Sequence, residues 1–596
     1  MINADILRRL PQTGTGKVDA GVSPADGRRA ARRFSAADRP FPLLTVPPTS
    51  SIILPMDALL LTVPLGLLAA LSPLLTYASL WQVKEWRWDR LREEIVRERT
   101  ILPLVGGKIR PLLVIVYAIT LFFLRTGSLV PATLLLLSLL TVIQFAFRKQ
   151  RTPVWTSKAK ALVALALLLD TALIIAAPFF FRHAPFVIPL LPLLQSAVLT
   201  LSWALFLPVD RALKRRIFAA ARAVRSAHPE LLVIGITGSV GKTTTKELLA
   251  HVLSGKTSSQ AGASNNPSLL SPAERGQEER GQVGEVLFTP AHVNTEVGVA
   301  QWMLKNLSGK TIPRGTPLII EMGAYRKGEI RNLCSIVQPR FGIVTFIGNQ
   351  HLALFGSSRA LLEAKGELLQ ALPDEGHAFL NGDCERCRDM RAFCRCPVTV
   401  VGTGGAADLE AFDIEETTSG IRFTVGDVPF SLPLHGTHNV ANILLVIAVA
   451  ERLGISRKAI AERIRTFTPP HRTFEVRRER DVTVLDDTHN ASAASFKAAI
   501  AWAKNQPFER KILLTSGIIE LGEEHERTHR ELGMLSAAVF HDAVFLDPGS
   551  ATFFAEGYGK PVSSLTRLTP RVPAGSLLVC VGRMSPATLQ RFLPFS

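Results

Sequence analysis

A chain of 596 residues exceeds what one hydrophobic core usually holds, so several folded units are expected. A mean hydropathy of +0.23 argues against a wholly soluble protein. The formal net charge of +18 does not point to a nucleic-acid binder, because the Arg and Lys residues crowd beside apolar segments at 84–110, 148–160 and 211–225 and read as anchors at an anionic lipid surface.

Residues 1–52 are rich in Pro, Gly, Ala and Arg without periodicity, so a disordered basic tail is expected there. Within it, Leu10-Pro-Gln-Thr-Gly14 matches a sorting signal that belongs near a C-terminus, and is read as coincidence. Apolar stretches follow at about 53–81, 111–124, 129–147, 160–181 and 185–208. Most approach the roughly 20 residues that a spanning helix needs, which predicts about five spans within 53–215. The loops after the first, third and fifth stretches are basic, which places them and everything after 210 in the cytoplasm of a multi-pass inner or plasma membrane protein. Five spans leave the basic tail outside; either Met56 is the true start rather than Met1, or the first stretch, broken by Pro55, Pro64 and Pro73, is re-entrant. Trp81 to Arg99 mixes tryptophan with alternating charge and predicts an interfacial helix. Asp170 sits in mid-span as either a functional or a helix-packing carboxylate, and the lack of a companion cation in a neighbouring span favours packing.

From residue 229 the texture becomes α/β. Strands predicted at 231–236, 317–321, 341–347, 377–381 and 398–402 alternate with helical patterns, as in a doubly wound sheet. After the first of them comes Gly235-Ile-Thr-Gly-Ser-Val-Gly-Lys-Thr-Thr244, which opens an amphipathic helix. That is the setting of a phosphate loop: Gly238, Ser239, Gly241 and Thr244 would surround a polyphosphate, Lys242 would reach its β and γ phosphates, and Thr243 would ligate Mg²⁺. ATP or a close relative is the expected ligand. Six cysteines without a secretory processing pattern fit a reducing compartment. Cys384, Cys387, Cys394 and Cys396 would either hold Zn²⁺ or be ordinary thiols, and the helical pattern of Arg388 to Phe393 between the pairs favours thiols.

Further loaded segments each follow a strand or open a helix: Leu318-Ile-Ile-Glu-Met-Gly-Ala324 with Gly328-Glu329-Ile330, Thr345-Phe-Ile-Gly-Asn-Gln-His351, Glu363-Ala-Lys-Gly-Glu-Leu368, His435-Gly-Thr-His-Asn-Val-Ala-Asn442, Pro470-His-Arg-Thr-Phe-Glu475 and Asp486-Asp-Thr-His-Asn490. In this order the set resembles the Mur ligases, ATP-dependent amide-forming enzymes of peptidoglycan synthesis, over roughly 229–596, and is most similar to the D-alanyl-D-alanine-adding type. The resemblance implies a central ATP-binding domain over 229–467 and a Rossmann-like C-terminal domain over 468–596. It also implies Mg²⁺ sites at Thr243, Glu321 and His351, a carbamylated Lys365 as a further Mg²⁺ ligand, and catalytic roles for Lys242, His351 and Lys365. Asn439 would meet the adenine, Arg472 the phosphates and Asp487 the ribose, while Asn294 and Thr295 would line the substrate side.

Implied partners are a cell-wall precursor and an amine, D-alanyl-D-alanine foremost, together with membrane lipid and no nucleic acid. Membrane spans stand where such enzymes carry a UDP-gripping domain, an insertion occupies about 261–285, and Val579-Cys-Val-Gly-Arg-Met584 replaces a Lys-Gly-Ser pattern. A lipid-linked acceptor, an amidating ligase, and a nucleotide-binding scaffold without turnover are therefore the alternatives.

Overall fold

The structure, a computed structural model, describes residues 56–88, 90–92, 109–124, 129–180, 188–255, 282–283, 286–348, 355, 357–405, 407–417, 420–469, 471–489, 492–518, 521, 524–564 and 572–593. The basic tail, the 261–285 insertion apart from Gln282 and Val283, and His351 lie outside them. Five helices come first: α1 (Met56–Val83), α2 (Ile109–Leu124), α3 (Leu129–Ala146), α4 (Ser157–Phe180) and α5 (Leu191–Ser226). Among the described residues, four are long and apolar enough to cross a membrane, and α2 is shorter. Together the four long helices and the shorter α2 coincide with the five apolar stretches of the sequence. The apolar run of α2 is confined between Arg110 and Arg125, and the buried Arg110 turns inward to donate to Thr141 Oγ1 (3.0 Å) on α3.

The prolines do not break the first stretch, since Pro64 and Pro73 both lie within continuous α1. Neighbours supply polar contacts to its backbone: Ser138 Oγ donates to Leu65 O (2.9 Å) and Gln150 Nε2 to Ser72 O (3.1 Å). Asp170 is buried and accepts from Gln195 Nε2 (3.1 Å), which joins α4 to α5.

Trp81 to Arg99 was expected to form one interfacial helix, and the described part of it does not. Helix α1 runs through Trp81 and stops at Val83, because Glu85 and Trp86 take positive φ angles of 57° and 58°. Residues 84–88 and 90–92 turn back as an arm against the α/β half. There Arg87 pairs with Glu329 (2.8 Å), and the Arg90 guanidinium lies over the Tyr325 ring at 4.3 Å.

The α/β half carries one large sheet in each domain. The first sheet comprises β1 (Leu232–Thr237), β2 (Gln282–Val283), β3 (Val286–Phe288), β4 (Pro317–Glu321), β5 (Phe341–Val344), β6 (His377–Asn381), β7 (Val398–Gly402) and β8 (Leu409–Glu410). Their order is β2-β3-β4-β1-β5-β6-β7-β8, parallel except for the β2–β3 pair. Predicted strand positions agree to within a residue, except that β5 ends at Val344 rather than 347. Phe346 there leaves the ladder and its carbonyl accepts from Ser239 N (2.6 Å) of the phosphate loop.

Helices cover both faces of this sheet. On one side lie α6 (Lys242–Leu253), α10 (Asn439–Arg452) and α11 (Arg457–Ile464), with a three-stranded antiparallel sheet that has no counterpart in the sequence reading, β9 (Phe412–Thr417), β10 (Gly420–Val425) and β11 (Val428–Leu432). On the other side lie α7 (Glu296–Leu307), α8 (Glu329–Val337) and α9 (Ser358–Gln370). The last turns of α5 join that second core through Ile217, Phe218, Ala221 and Val224, and Arg225 Nε donates to Val337 O (2.8 Å). One unbroken helix of 36 residues, about 54 Å at 1.5 Å per residue, therefore runs from the bundle into the ATP-site domain.

The second sheet orders β12 (Glu475–Glu479), β13 (Val482–Asp487), β14 (Lys511–Thr515), β15 (Asp542–Phe545), β16 (Val562–Ser564) and β17 (Leu577–Val581) as β12-β13-β17-β14-β15-β16, with β12 antiparallel. Its two faces bury separate cores, one of them under α12 (Ala493–Lys504), α13 (His525–Ala537) and α14 (Pro548–Tyr558).

Candidate active site

The site sits where the first sheet changes direction. Strand β1 has β4 on one side and β5 on the other, and the crevice at their carboxyl ends is where doubly wound sheets place ligands. The loop after β1 needs glycine at two points. Gly241 caps α6 at φ 87°, and a Cβ there would stand 2.5 Å from Asn442 Oδ1; Gly238, at φ 151°, would drive one to 2.0 Å from Thr345 Oγ1. Ser239 and Thr244 are buried beside them.

Two lysines converge on one carbonyl. Lys242 Nζ donates to Gly238 O at 2.8 Å and Lys365 Nζ to the same oxygen at 3.1 Å. Lys365 is placed by α9, whose first turn is capped by Ser357 Oγ accepting from Ala360 N (3.1 Å). Burial, reinforced by the charge of Lys242, pushes the Lys365 amine down to about 7. Burial also lowers Lys242, against the pull of Glu321.

Glu321 ends β4. Thr243 Oγ1 donates to its Oε2 (2.9 Å) and Asn294 Nδ2 to its Oε1 (3.1 Å). Burial would raise this carboxyl, but Lys242, Lys246 and the two hydrogen bonds outweigh it and hold the pKa below the usual carboxylate range. An ionised carboxylate next to a threonine hydroxyl is a set of hard oxygen donors, which suits Mg²⁺. Thr295 caps α7 by accepting from Gly298 N (3.3 Å), which fixes Asn294 against Glu321.

These residues line a cavity of about 350 Å³ closed by both domains. The central domain contributes the phosphate loop, Glu321, Lys365, Asn294, Thr295 and Asn439; the C-terminal domain contributes Phe474, Asp487, His489 and Arg583. Across the seam, His292 and His489 stack with ring centroids 4.9 Å apart. Burial is the main cause that pushes Asp487 up to about 6, although Phe474 N donates to its Oδ1 (3.2 Å). Arg472 is turned away from the cavity wall, since its Nε donates to Thr488 Oγ1 (2.8 Å) and an Nη to Met584 O. Asn439 Nδ2 is engaged by His435 O (2.9 Å).

Cavity residues absent from the sequence reading are Tyr325, Ser495 and, from the arm, Glu85 and Arg90. Arg583 was visible only as part of a departing C-terminal pattern. The loop from Glu321 to Glu329 explains its own composition: Glu329 Oε2 accepts from Tyr325 N (2.7 Å), and Gly328 N donates to Glu367 (2.7 Å) two residues beyond Lys365. The cysteines lie apart from the cavity. Cys384, Cys387 and Cys396 are buried and Cys394 partly so, all free thiols of the α7–α9 core. Cys387 and other close polar groups lower the Cys384 thiol to about 6, while burial raises Cys387.

Comparison with known proteins places this geometry. A profile of the Mur ligase middle domain matches residues 236–450. The UDP-N-acetylmuramoyl-tripeptide--D-alanyl-D-alanine ligase of Synechocystis is 31% identical over 367 residues, which cover 61% of this chain and 72% of that protein. The Escherichia coli protein of the same name is 29% identical, covering 57% and 70%. Among solved structures, MurF from Acinetobacter baumannii superposes with a TM-score of 0.51 at 22% identity, covering 62% of this chain and 77% of that one. MurF ligase from Thermotoga maritima, solved in complex with ADP, gives 0.51 at 22%, covering 63% and 82%. These structures share the fold of the α/β half and leave the helical bundle unmatched. With phosphate loop, β4 carboxylate and buried lysine gathered in one cleft between two such domains, this chain belongs to the Mur ligase family.

Proposed function

We propose that this protein is an ATP-dependent, ADP-forming ligase of cell-wall precursor synthesis that joins D-alanyl-D-alanine to the terminal carboxylate of a muramoyl tripeptide, the reaction for which its relatives are named. The observation that carries this reading is the pair Lys242 and Lys365 on a single phosphate-loop carbonyl, facing the Thr243–Glu321–Asn294 set. Residues 229–467 are assigned to the ATP-binding domain and 468–596 to the closing domain. The four long apolar helices support a membrane location with both ligase domains on the cytoplasmic side, where ATP is.

A carboxylate is a poor acyl donor, and the substrate ATP overcomes this. One carboxylate oxygen attacks the γ-phosphorus, the bond to the β,γ-bridging oxygen breaks, and ADP leaves behind an acyl phosphate. The amine then attacks the acyl carbon, phosphate departs with the bonding pair, the amine gives up a proton, and the amide remains. Lys242 offsets charge on the transferred phosphoryl group. Mg²⁺, held by Thr243 and Glu321 with His351 as a further ligand, would supply the remaining charge compensation. Lys365 is proposed to be carbamylated. Its buried amine, with a pKa lowered to about 7, has a substantial uncharged fraction at neutral pH that suits addition to CO₂, and the resulting carboxylate would sit beside Lys242 and relieve the crowding of two ammonium groups. Asn439 and Asp487 are proposed to hold adenine and ribose, Arg472 the phosphates, and Thr295 the substrate side.

The test is phosphate release from ATP by the detergent-solubilised full chain, with a muramoyl tripeptide acceptor and D-alanyl-D-alanine supplied separately and together. Release that requires both substrates is the expected result. ATP binding without stimulation by any pair would replace the ligase with a nucleotide-binding scaffold.

A further inference from the structure

Two neighbouring residues of the arm face two different surroundings. Glu85 lines the ligase cavity, and the next residue, Trp86, is buried in an aromatic cluster with Trp81, ring centroids 6.0 Å apart. Trp81 in turn meets Tyr77 (5.5 Å), Trp88 (6.3 Å) and Trp203 of α5 (5.3 Å). Tryptophan gathered at the ends of apolar helices marks the membrane–water interface. Adjacent Cα atoms lie about 3.8 Å apart, so the cavity wall begins within one residue of the interfacial level. Nothing in the fold requires a ligase cleft to lie there.

The arm also touches a particular side of that cleft. Arg90 lines the cavity, pairs with Glu85 (3.0 Å) and stacks on Tyr325, four residues beyond the β4 carboxylate Glu321. Arg87 is tied to Glu329 at the end of the same loop. Asn439 and Asp487, the residues proposed above for the nucleotide, come from other elements, which leaves the wall formed by the arm for the acceptor on that reading.

We propose that the acceptor is taken from the membrane surface as a muramoyl peptide carried on a polyprenyl diphosphate, with Arg90 as the arm's contact to its anionic portion. This rests on the ligase reading given above. Arg90, fixed over the Tyr325 ring and paired with Glu85, brings to the cavity wall a guanidinium whose chemistry suits a carboxylate or phosphate, and a lipid anchor confines the acceptor to the layer in which Glu85 and Trp86 lie.

The experiment uses the full chain in lipid nanodiscs with fixed ATP and D-alanyl-D-alanine. The acceptor is titrated either as UDP-linked muramoyl tripeptide or as the undecaprenyl-diphosphate-linked compound incorporated in the same discs. The expected result is a kcat/KM at least about tenfold higher for the lipid-linked acceptor. Arg90→Ala should raise the KM for that acceptor about tenfold with kcat nearly unchanged, and Arg90→Lys should recover part of the loss. Binding of a non-hydrolysable ATP analogue, measured on each variant, shows that the site is still folded. Equal or better use of the UDP-linked acceptor, or an Arg90→Ala variant with unaltered KM, overturns the proposal while leaving the ligase intact. Failure of both acceptors to stimulate phosphate release overturns the ligase reading and this inference together.

Discussion

The helical bundle and the α/β half set the same apolar side chains in opposite directions. On α3 and α4, Leu135, Leu139, Leu168 and Leu173 point away from the bundle, and small or polar residues such as Ala159, Ala166, Ser138 and Thr141 fill the contacts between helices. Beyond residue 213, Phe412, Met534 and Leu535 are the exposed large apolar side chains among the described residues. Each half is consistent with its own solvent. Hydrocarbon supplies no force that drives leucines together, so close contact falls to small residues and hydrogen bonds, whereas water drives leucine, isoleucine and valine into the sheet cores.

Four measurements can break or sharpen this contrast. The largest effect is expected in the cleft: Lys242→Ala should lower acceptor-dependent phosphate release about 10²–10³-fold with unfolding of the α/β half unchanged. Wild-type turnover in that variant would remove the phosphate loop from the chemistry. Next comes Leu168→Asp, on a side chain 65% exposed. In water such a change is nearly neutral, but in a bilayer it costs roughly 2.5–3.5 kcal/mol, so the variant should be depleted from carbonate-washed membranes. Undiminished membrane yield would mean that the outward face of α4 does not meet lipid.

Lys365 gives the third. Lys365→Ala should reduce turnover roughly 10–100-fold, and only the wild type should respond to stripping bicarbonate and CO₂ from the buffer. With CO₂ and bicarbonate removed, so that the amine is unmodified, the same side chain sets a slope of stability with pH. Its folded value near 7 lies below the ordinary 10.5, so between these limits the unfolded chain holds the extra proton. Stability should therefore climb with pH across that window and fall as pH drops through 7, with the slope flattened in Lys365→Met as followed by thermal unfolding. A wild-type slope in the variant would assign it to other groups. The smallest effect belongs to Gly366, where an added Cβ would stand 2.6 Å from the Phe393 ring. Overpacking exceeds the helix propensity gained, so Gly366→Ala should lose about 1 kcal/mol in chemical denaturation. A stabilised variant would show that the Phe393 ring yields.

The site was legible in the sequence wherever a short backbone feature forces residue choice. Gly238 and Gly241 are demanded by loop geometry and Glu321 announces itself as a charge ending an apolar strand, whereas Lys365, flanked by Glu363 and Glu367 on a helix, was reached only through the family resemblance, as was Asn294 one residue before a helix cap. The arm was not legible. Its ten residues from Trp81 to Arg90 carry the composition of a surface helix, and the turn that redirects them is made by Glu85 and Trp86 at positive φ, without the glycine or proline that would have marked it. Tyr325 escaped for a related reason: its importance comes from Arg90, a partner 235 positions earlier in the chain. The length of α2 was legible: the apolar stretch read at 111–124 agrees with the helix at Ile109–Leu124.

The continuity of α5 also decides which part of this machine moves. The central domain is fastened to the bundle twice, by the last turns of α5 and by the Arg87–Glu329 tie, so tilting it would mean bending a helix or breaking that tie. The C-terminal domain has neither attachment and meets the cleft through the His292–His489 stack. On the ligase reading proposed above, opening and closing over substrate would fall to that outer domain, a hinged cap above a fixed floor.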